Sequence, residues 1–209
     1  MQLSDEHVSL LTEIKTEWNR AEADIKAAEQ VTSEVVFPSV KELRYGGRRI
    51  VDAIHLIVTA GDAAAVADML QDAKFNCHKA RHDAVDAATS KIAIQISLMT
   101  DKIGYENILP VHPGFAALVN ELNQIREKIV ASRKDRENRE LLYSSIETTD
   151  FPALVKSYNL MMASEPIMVA LAKKNRWNAF FGRWGFITGM IALILAIIFW
   201  LIPSPFYPR

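Results

Sequence analysis

Residues 184–202, WGFITGMIALILAIIFWLI, form one uncharged apolar run of 19 residues. A helix rising about 1.5 Å per residue carries that run roughly 28 Å, close to the ~30 Å hydrocarbon core of a bilayer. A core helix of a globular domain needs a polar face, and 185–202 offers only Thr188. The run therefore reads as a single transmembrane helix near the C-terminus. Trp184 and Trp200 stand near its ends, where amphipathic rings favour the membrane interfaces, and Pro203, Pro205 and Pro208 stop the helix beyond it. Lys173, Lys174, Arg176 and Arg183 precede it with no acid after Glu165, whereas only Arg209 follows. Basic flanks favour the cytoplasmic side and anionic lipid headgroups, so the expected order is a cytoplasmic head (1–172), a basic juxtamembrane segment (173–183), the span (184–202) and a short external tail (203–209). The opening MQLSDEHVSLL lacks a basic n-region and an apolar h-region, so no signal peptide is expected.

Within the span, Gly185, Gly189, Ala192 and Ala196 fall inside a wedge of roughly 60° at about 100° per residue. Small residues let helix backbones approach closely in lipid, which makes this stripe a candidate self-association face.

The head is long enough for one domain with its own core. The 24 basic and 25 acidic residues give a net charge of −1. All five basic residues of 173–209 lie outside the head, which therefore carries about −6 and lacks the footprint of a general nucleic-acid binder. A single cysteine, Cys77, excludes an internal disulfide and fits a reducing compartment.

Periodicity makes the head helical throughout. Leu11, Ile14, Trp18, Ala21, Ile25, Ala28, Thr32 and Val35 alternate steps of three and four, a heptad pattern for a long helix over 5–36 that packs on another helix or recruits a partner. A second helix is expected over about 39–60, with Val40, Leu43, Ile50, Ile54 and Ile57 on one side. Asp62 caps a third over 63–102, burying Val66, Leu70, Ala73, Cys77, Ala84, Val85, Ala88 and Ile92. After the turn-rich 104–114 a fourth helix spans 115–146, its RKDRENRE run (133–140) reading as a solvated face. A fifth starts at an Asp150 cap with Pro152 in its first turn, and a bend is expected near Pro166. The fold class is all-α, a bundle of four to five helices with one transmembrane helix.

Signature loops and motifs for phosphate, zinc-protease or serine-hydrolase chemistry do not occur, and no cofactor is expected. Two constellations stand out. Arg44, Arg48 and His55 project within roughly 40° of one another beside the second helix's apolar face, with Asp52 one turn away. A histidine can move protons at a ribose 2′-hydroxyl while an arginine holds the phosphate; the competing reading is an Arg48–Asp52 ion pair. On the third helix, Cys77, His78, Arg81, His82, Asp83 and Asp86 cluster. His78, His82 and Asp86, a turn apart, could supply part of a metal site, although a polar contact strip against another helix explains them more simply. His7 and His112 complete the histidines.

ELRYGGRRIVDAI (42–54), followed after a short break by a long helix containing KARHDAVDAA (79–88), resembles the HEPN-like helical proteins of bacteria. The resemblance covers about residues 39–102. It implies an antiparallel helix pair, a dimeric active unit and, in nuclease members, metal-independent RNA cleavage by an arginine and a histidine four to six residues apart. Arg48 and His55 enclose six residues, and Arg49 and His55 five. Arg49 or Ile50 follows the arginine where nuclease members often carry Asn, Asp or His, which counts against ribonuclease activity. The superfamily also includes membrane-attached, non-catalytic members linked to phage defence. The leading expectation is therefore an inner-membrane effector or accessory protein that self-associates through head and anchor. A membrane-tethered ribonuclease and a tethering scaffold are the alternatives.

Overall fold

The structure is a computed structural model that describes residues 3–59, 61–135 and 138–201. Ile202, the tail 203–209 with its three prolines and Arg209, and the side chain of Trp200 lie outside the described part. The described residues form helices and turns without strands: α1 (Asp5–Thr32), α2 (Phe37–Val58), α3 (Ala63–Ile103), α4 (Tyr105–Ile108), α5 (Phe115–Lys134), α6 (Arg139–Ser145), a π-helical turn (Ile146–Asp150) and α7 (Phe151–Leu201). The all-α expectation holds.

α3 is the spine. Its 41 residues give a rod of roughly 60 Å, and α1 and α2 pack along it far more than against each other. Close packing is possible because α3 faces its neighbours with Ala73, Ala80, Ala84 and Ala88, all fully buried. α2 answers with Ser39, Gly46 and Ala53, one small residue every seven. A Cβ on Gly46 would come within 3.3 Å of the Ala73 carbonyl oxygen, so the two backbones nearly touch there. α5, the π-turn and the first half of α7 build a second layer on α3, centred on Phe115, Leu118, Ile125, Ile146, Leu154 and Met161.

Caps fix where the helices begin. Ser4 and His7 form a reciprocal capping box, in which the Ser4 hydroxyl accepts from the His7 amide at 3.2 Å and His7 Nδ1 accepts from the Ser4 amide. That tautomer leaves His7 Nε2 to donate to the Ala63 carbonyl at 3.2 Å, which ties the start of α1 to the start of α3. Asp62 caps α3 as expected, accepting from the Ala64 amide.

Several sequence expectations change. α1 stops at Thr32, where Ser33 turns left-handed, so Val35 lies beyond the helix and exposed. Leu43 is buried and Ile50 and Ile57 pack against the core, whereas Val40 and Ile54 are exposed, because Ser39, Gly46 and Ala53 occupy the line of closest approach to α3. The fourth helix breaks after Lys134 and resumes as α6. Asp150 is not a helix start: the backbone stays helical from α6 through the π-turn into α7, and the Asp150 carboxylate takes a hydrogen bond from Lys128 Nζ. Pro166 lies inside α7, which continues past it.

α7 joins the two parts of the molecule. Phe151, Leu154, Tyr158, Met161 and Met168 are buried in the head, and Ala172 is the last buried residue. From Lys173 to Ile198 every residue is exposed, and none of the helix's most apolar 18-residue window is buried. This is the one described helix long and apolar enough to cross a membrane.

Candidate functional site

The structure gathers charge where α1, α3 and α6 meet. Arg81 projects from the middle of α3 and is only 3% exposed. Its guanidinium donates to Glu17 of α1 and Glu147 of the π-turn, and stands 3.5 Å from both Asp24 Oδ2 and Glu140 Oε1. His78, a turn before Arg81, and the adjacent His82 face the same carboxylates. His78 Nδ1 is 2.9 Å from Glu140 Oε2, His78 Nε2 is 3.4 Å from Glu17 Oε2, and His82 Nε2 is 3.6 Å from Glu140 Oε2. The His82 ring stacks on Tyr143 at a centroid distance of 3.6 Å. Tyr143 in turn donates its hydroxyl to Asp86 Oδ1 at 2.8 Å, and Arg133 reaches Asp86 Oδ2 at 2.9 Å.

Electrostatics follow from this crowding. Burial alone would raise the Glu140 carboxyl, but the contacts with the His78 and His82 imidazoles and the nearby charge of Arg81 hold it far below its usual range. Burial pushes the Asp24 carboxyl up, and the Arg81 charge opposes it only partly. The Cys77 thiol beside them is pushed up to about 11, by burial first and by the Glu17 charge second. A buried thiol of that kind is a poor nucleophile.

Of the expected metal candidates, His78 and His82 meet at this cluster, whereas Asp86 turns away to Tyr143 and Arg133. Their carboxylate partners escaped sequence reasoning. Glu17 sits on a helix read only for its apolar heptads, and Glu140 ends the run 133–140 read as solvated. Within that run, Glu140 joins the buried cluster and Arg133 pairs with Asp86. Alternating charge described the outside of the run correctly but hid which members turn inward.

The second constellation stays on the surface. Arg48 donates to Asp52 at two points, Nε to Oδ2 at 3.2 Å and Nη2 to Oδ1 at 3.0 Å, and its side chain is 74% exposed. Arg44 and His55 are exposed on the same helix, and Arg49 pairs with Asp72 across the α2–α3 groove at 3.3 Å.

At the membrane end, Lys173, Lys174, Arg176 and Arg183 are all exposed. Trp177, Phe180, Phe181 and Trp184 form a cluster of ring contacts among them, with centroids 5.4–6.3 Å apart. The spacing i, i+3, i+4, i+7 was visible in the sequence, but only Trp184 had been read as an interface residue. Nothing lies within 4 Å of a Cβ placed on Gly185 or Gly189, and Ala192 and Ala196 are exposed as well.

In comparisons with protein-family models, curated proteins and solved structures, the chain finds no match. What the fold defines is a class: an all-helical head whose last helix continues into a segment able to cross a membrane.

Proposed function

We infer that this protein is a single-pass membrane protein that acts by assembly rather than catalysis, with the helical head on the cytoplasmic side of a bacterial inner membrane. The observation that carries the reading is the continuity of α7. One helix contributes to the head core through Phe151–Ala172 and then presents an unburied apolar surface, so a change in the head's packing reaches the membrane segment without an intervening hinge. Lys173, Lys174, Arg176 and Arg183 meet the anionic headgroups, while the Trp177–Trp184 aromatics sit at the interface.

Two unpartnered faces support self-association. On α2, the exposed Phe37 and Val40 and, beyond Arg44 and Gly47, the exposed Val51, Ile54 and Val58 lie on one side of the helix, an apolar face that lacks a partner. On α7, the Gly185, Gly189, Ala192, Ala196 stripe offers a close-packing face in lipid. By contrast, the α1 heptad face, once a candidate for recruiting a partner, packs against α3. Arg48, bound to Asp52 and open to solvent, fits a surface ion pair better than a phosphate clamp. The resemblance to HEPN-like proteins extends the proposal to a membrane effector or accessory of anti-phage defence.

Crosslinking of the full-length protein in membranes tests it. Wild type should give dimers or larger species, and these should fall sharply in Val51→Glu/Ile54→Glu and in Gly189→Ile/Ala192→Ile. Oligomers unchanged in both double variants would refute assembly through these faces. If the induced protein instead degrades RNA in a manner that requires His55, the enzyme reading replaces this one.

A further inference from the structure

The buried cluster contains more acid than its guanidinium partners balance. Glu17, Asp24, Glu140 and Glu147 surround Arg81, and Arg20 adds one contact at the edge, to Glu17 Oε1 at 3.0 Å. Four carboxylates against two guanidiniums leave a formal excess of two acids before the imidazoles are counted. Nε2 of His78 and Nε2 of His82 are both buried and make no hydrogen bond among the described residues, although each stands 3.4–3.6 Å from a carboxylate oxygen. One buried oxygen of Glu147, Oε1, is also without a partner.

The donor atoms converge. Glu17, His78 and Glu140 each place one ligand atom within 4.8 Å of the other two, and they come from three helices, so the tertiary fold and not local helical spacing assembles them. Donors about 2.0–2.1 Å from a tetrahedral ion stand about 3.3 Å apart. One nitrogen of His78 faces one ion: from Glu140 Oε2, His78 Nδ1 stands 2.9 Å and His82 Nε2 3.6 Å away, on either side of that value. We propose that Glu17, His78 and Glu140, with His82 as fourth donor, bind one divalent transition-metal ion of the zinc class.

Mixed imidazole and carboxylate donors suit zinc and its neighbours, whereas calcium and magnesium take oxygen-only sets. A dication matches the charge excess. The Glu140 side chain is 47% exposed and gives the ion an entry side, while Arg81 orients the carboxylates from behind. Bound metal clamps α6 to α1 and α3, and α6 runs without interruption into α7 and the membrane segment. The ion would thus set how firmly the root of the membrane helix is held.

The test uses full-length protein carrying no histidine tag, purified in detergent, stripped with a chelator, loaded with Zn²⁺ and passed through gel filtration. Wild type should retain one zinc per chain and show a higher melting temperature than the stripped form. Co²⁺ should give the visible bands of a four-coordinate site. His78→Ala and Glu140→Gln should lose the metal while matching the stripped wild type in circular dichroism, and Asp86→Asn should keep it. Should either loss variant unfold, His82→Gln replaces it and must weaken retention. The proposal is overturned if wild type retains no zinc. Retention in the loss variants, or loss in Asp86→Asn, would equally overturn it.

Discussion

Arg81 and Arg48 carry the same functional group into opposite surroundings, and their replacement should differ accordingly. Arg81→Ala strands Glu147 and Glu17 as buried carboxylates without their cation, a loss of about 3–5 kcal/mol. Arg48→Ala breaks only an exposed pair and should cost less than about 1 kcal/mol. Urea unfolding followed by circular dichroism in detergent separates the two; equal losses would mean that Arg81 is not buried among its acids. Acid stability tests Glu140. Its carboxyl is held below the ordinary value of 4.5, so its stabilising contribution is complete above that pH and is lost as the pH falls further. The melting temperature should therefore fall below pH 4.5, and Glu140→Gln should flatten that limb. Superimposable acid limbs would contradict the assignment. Cys77, fully buried and with its thiol raised, should react with thiol reagents at neutral pH only after denaturation.

At the level of the elements, the α2–α3 contact shows which part of the pattern a sequence conveys. Most of the inward face of α3 is legible in the sequence, since Val66, Leu70, Ala73, Cys77, Ala84, Val85, Ala88 and Ile92 are all buried as their spacing requires, and Ala80, Ile96, Met99 and Ile103 extend it. On α2 size marks burial only in part: Leu43 is buried and Ile50 and Ile57 pack against the core. There Ser39, Gly46 and Ala53 face the spine, and Val40 and Ile54 face solvent. Two adjacent glycines test this close approach. Gly46→Leu must displace the Ala73 carbonyl and should destabilise by about 1–3 kcal/mol. Gly47→Ala meets only the Trp18 ring at 3.5 Å and should gain helix propensity, up to about 1 kcal/mol. A Gly46→Leu variant as stable as wild type would place α2 further from α3 than described. The charged cluster was half legible. Helical spacing put His78, Arg81 and His82 on neighbouring turns of one helix, but their acids lie more than fifty residues away in both directions. No local spacing encodes such partners. The break between α5 and α6, which turns Glu140 inward, lies in a run whose alternating charge favours a continuous surface helix equally well.

For the whole molecule, the decisive feature is that the head and the segment long and apolar enough to cross a membrane share one helix. A head joined through a flexible linker would leave the bilayer unaware of events in the bundle. α7 instead enters the core at Phe151 and leaves it at Ala172 without losing its helical backbone. Both the assembly faces and the charged cluster at the root of this helix gain their significance from that continuity. The claim beneath all of this is that the exposed apolar part of α7 is embedded in lipid. The direct measurement is extraction of membranes from cells producing the full-length protein, using alkaline carbonate and then detergent. The protein should stay in the pellet through carbonate and leave only with detergent, while Ile191→Lys/Leu193→Lys should appear in the soluble or carbonate fraction. Release of the wild-type protein by carbonate alone would contradict the account.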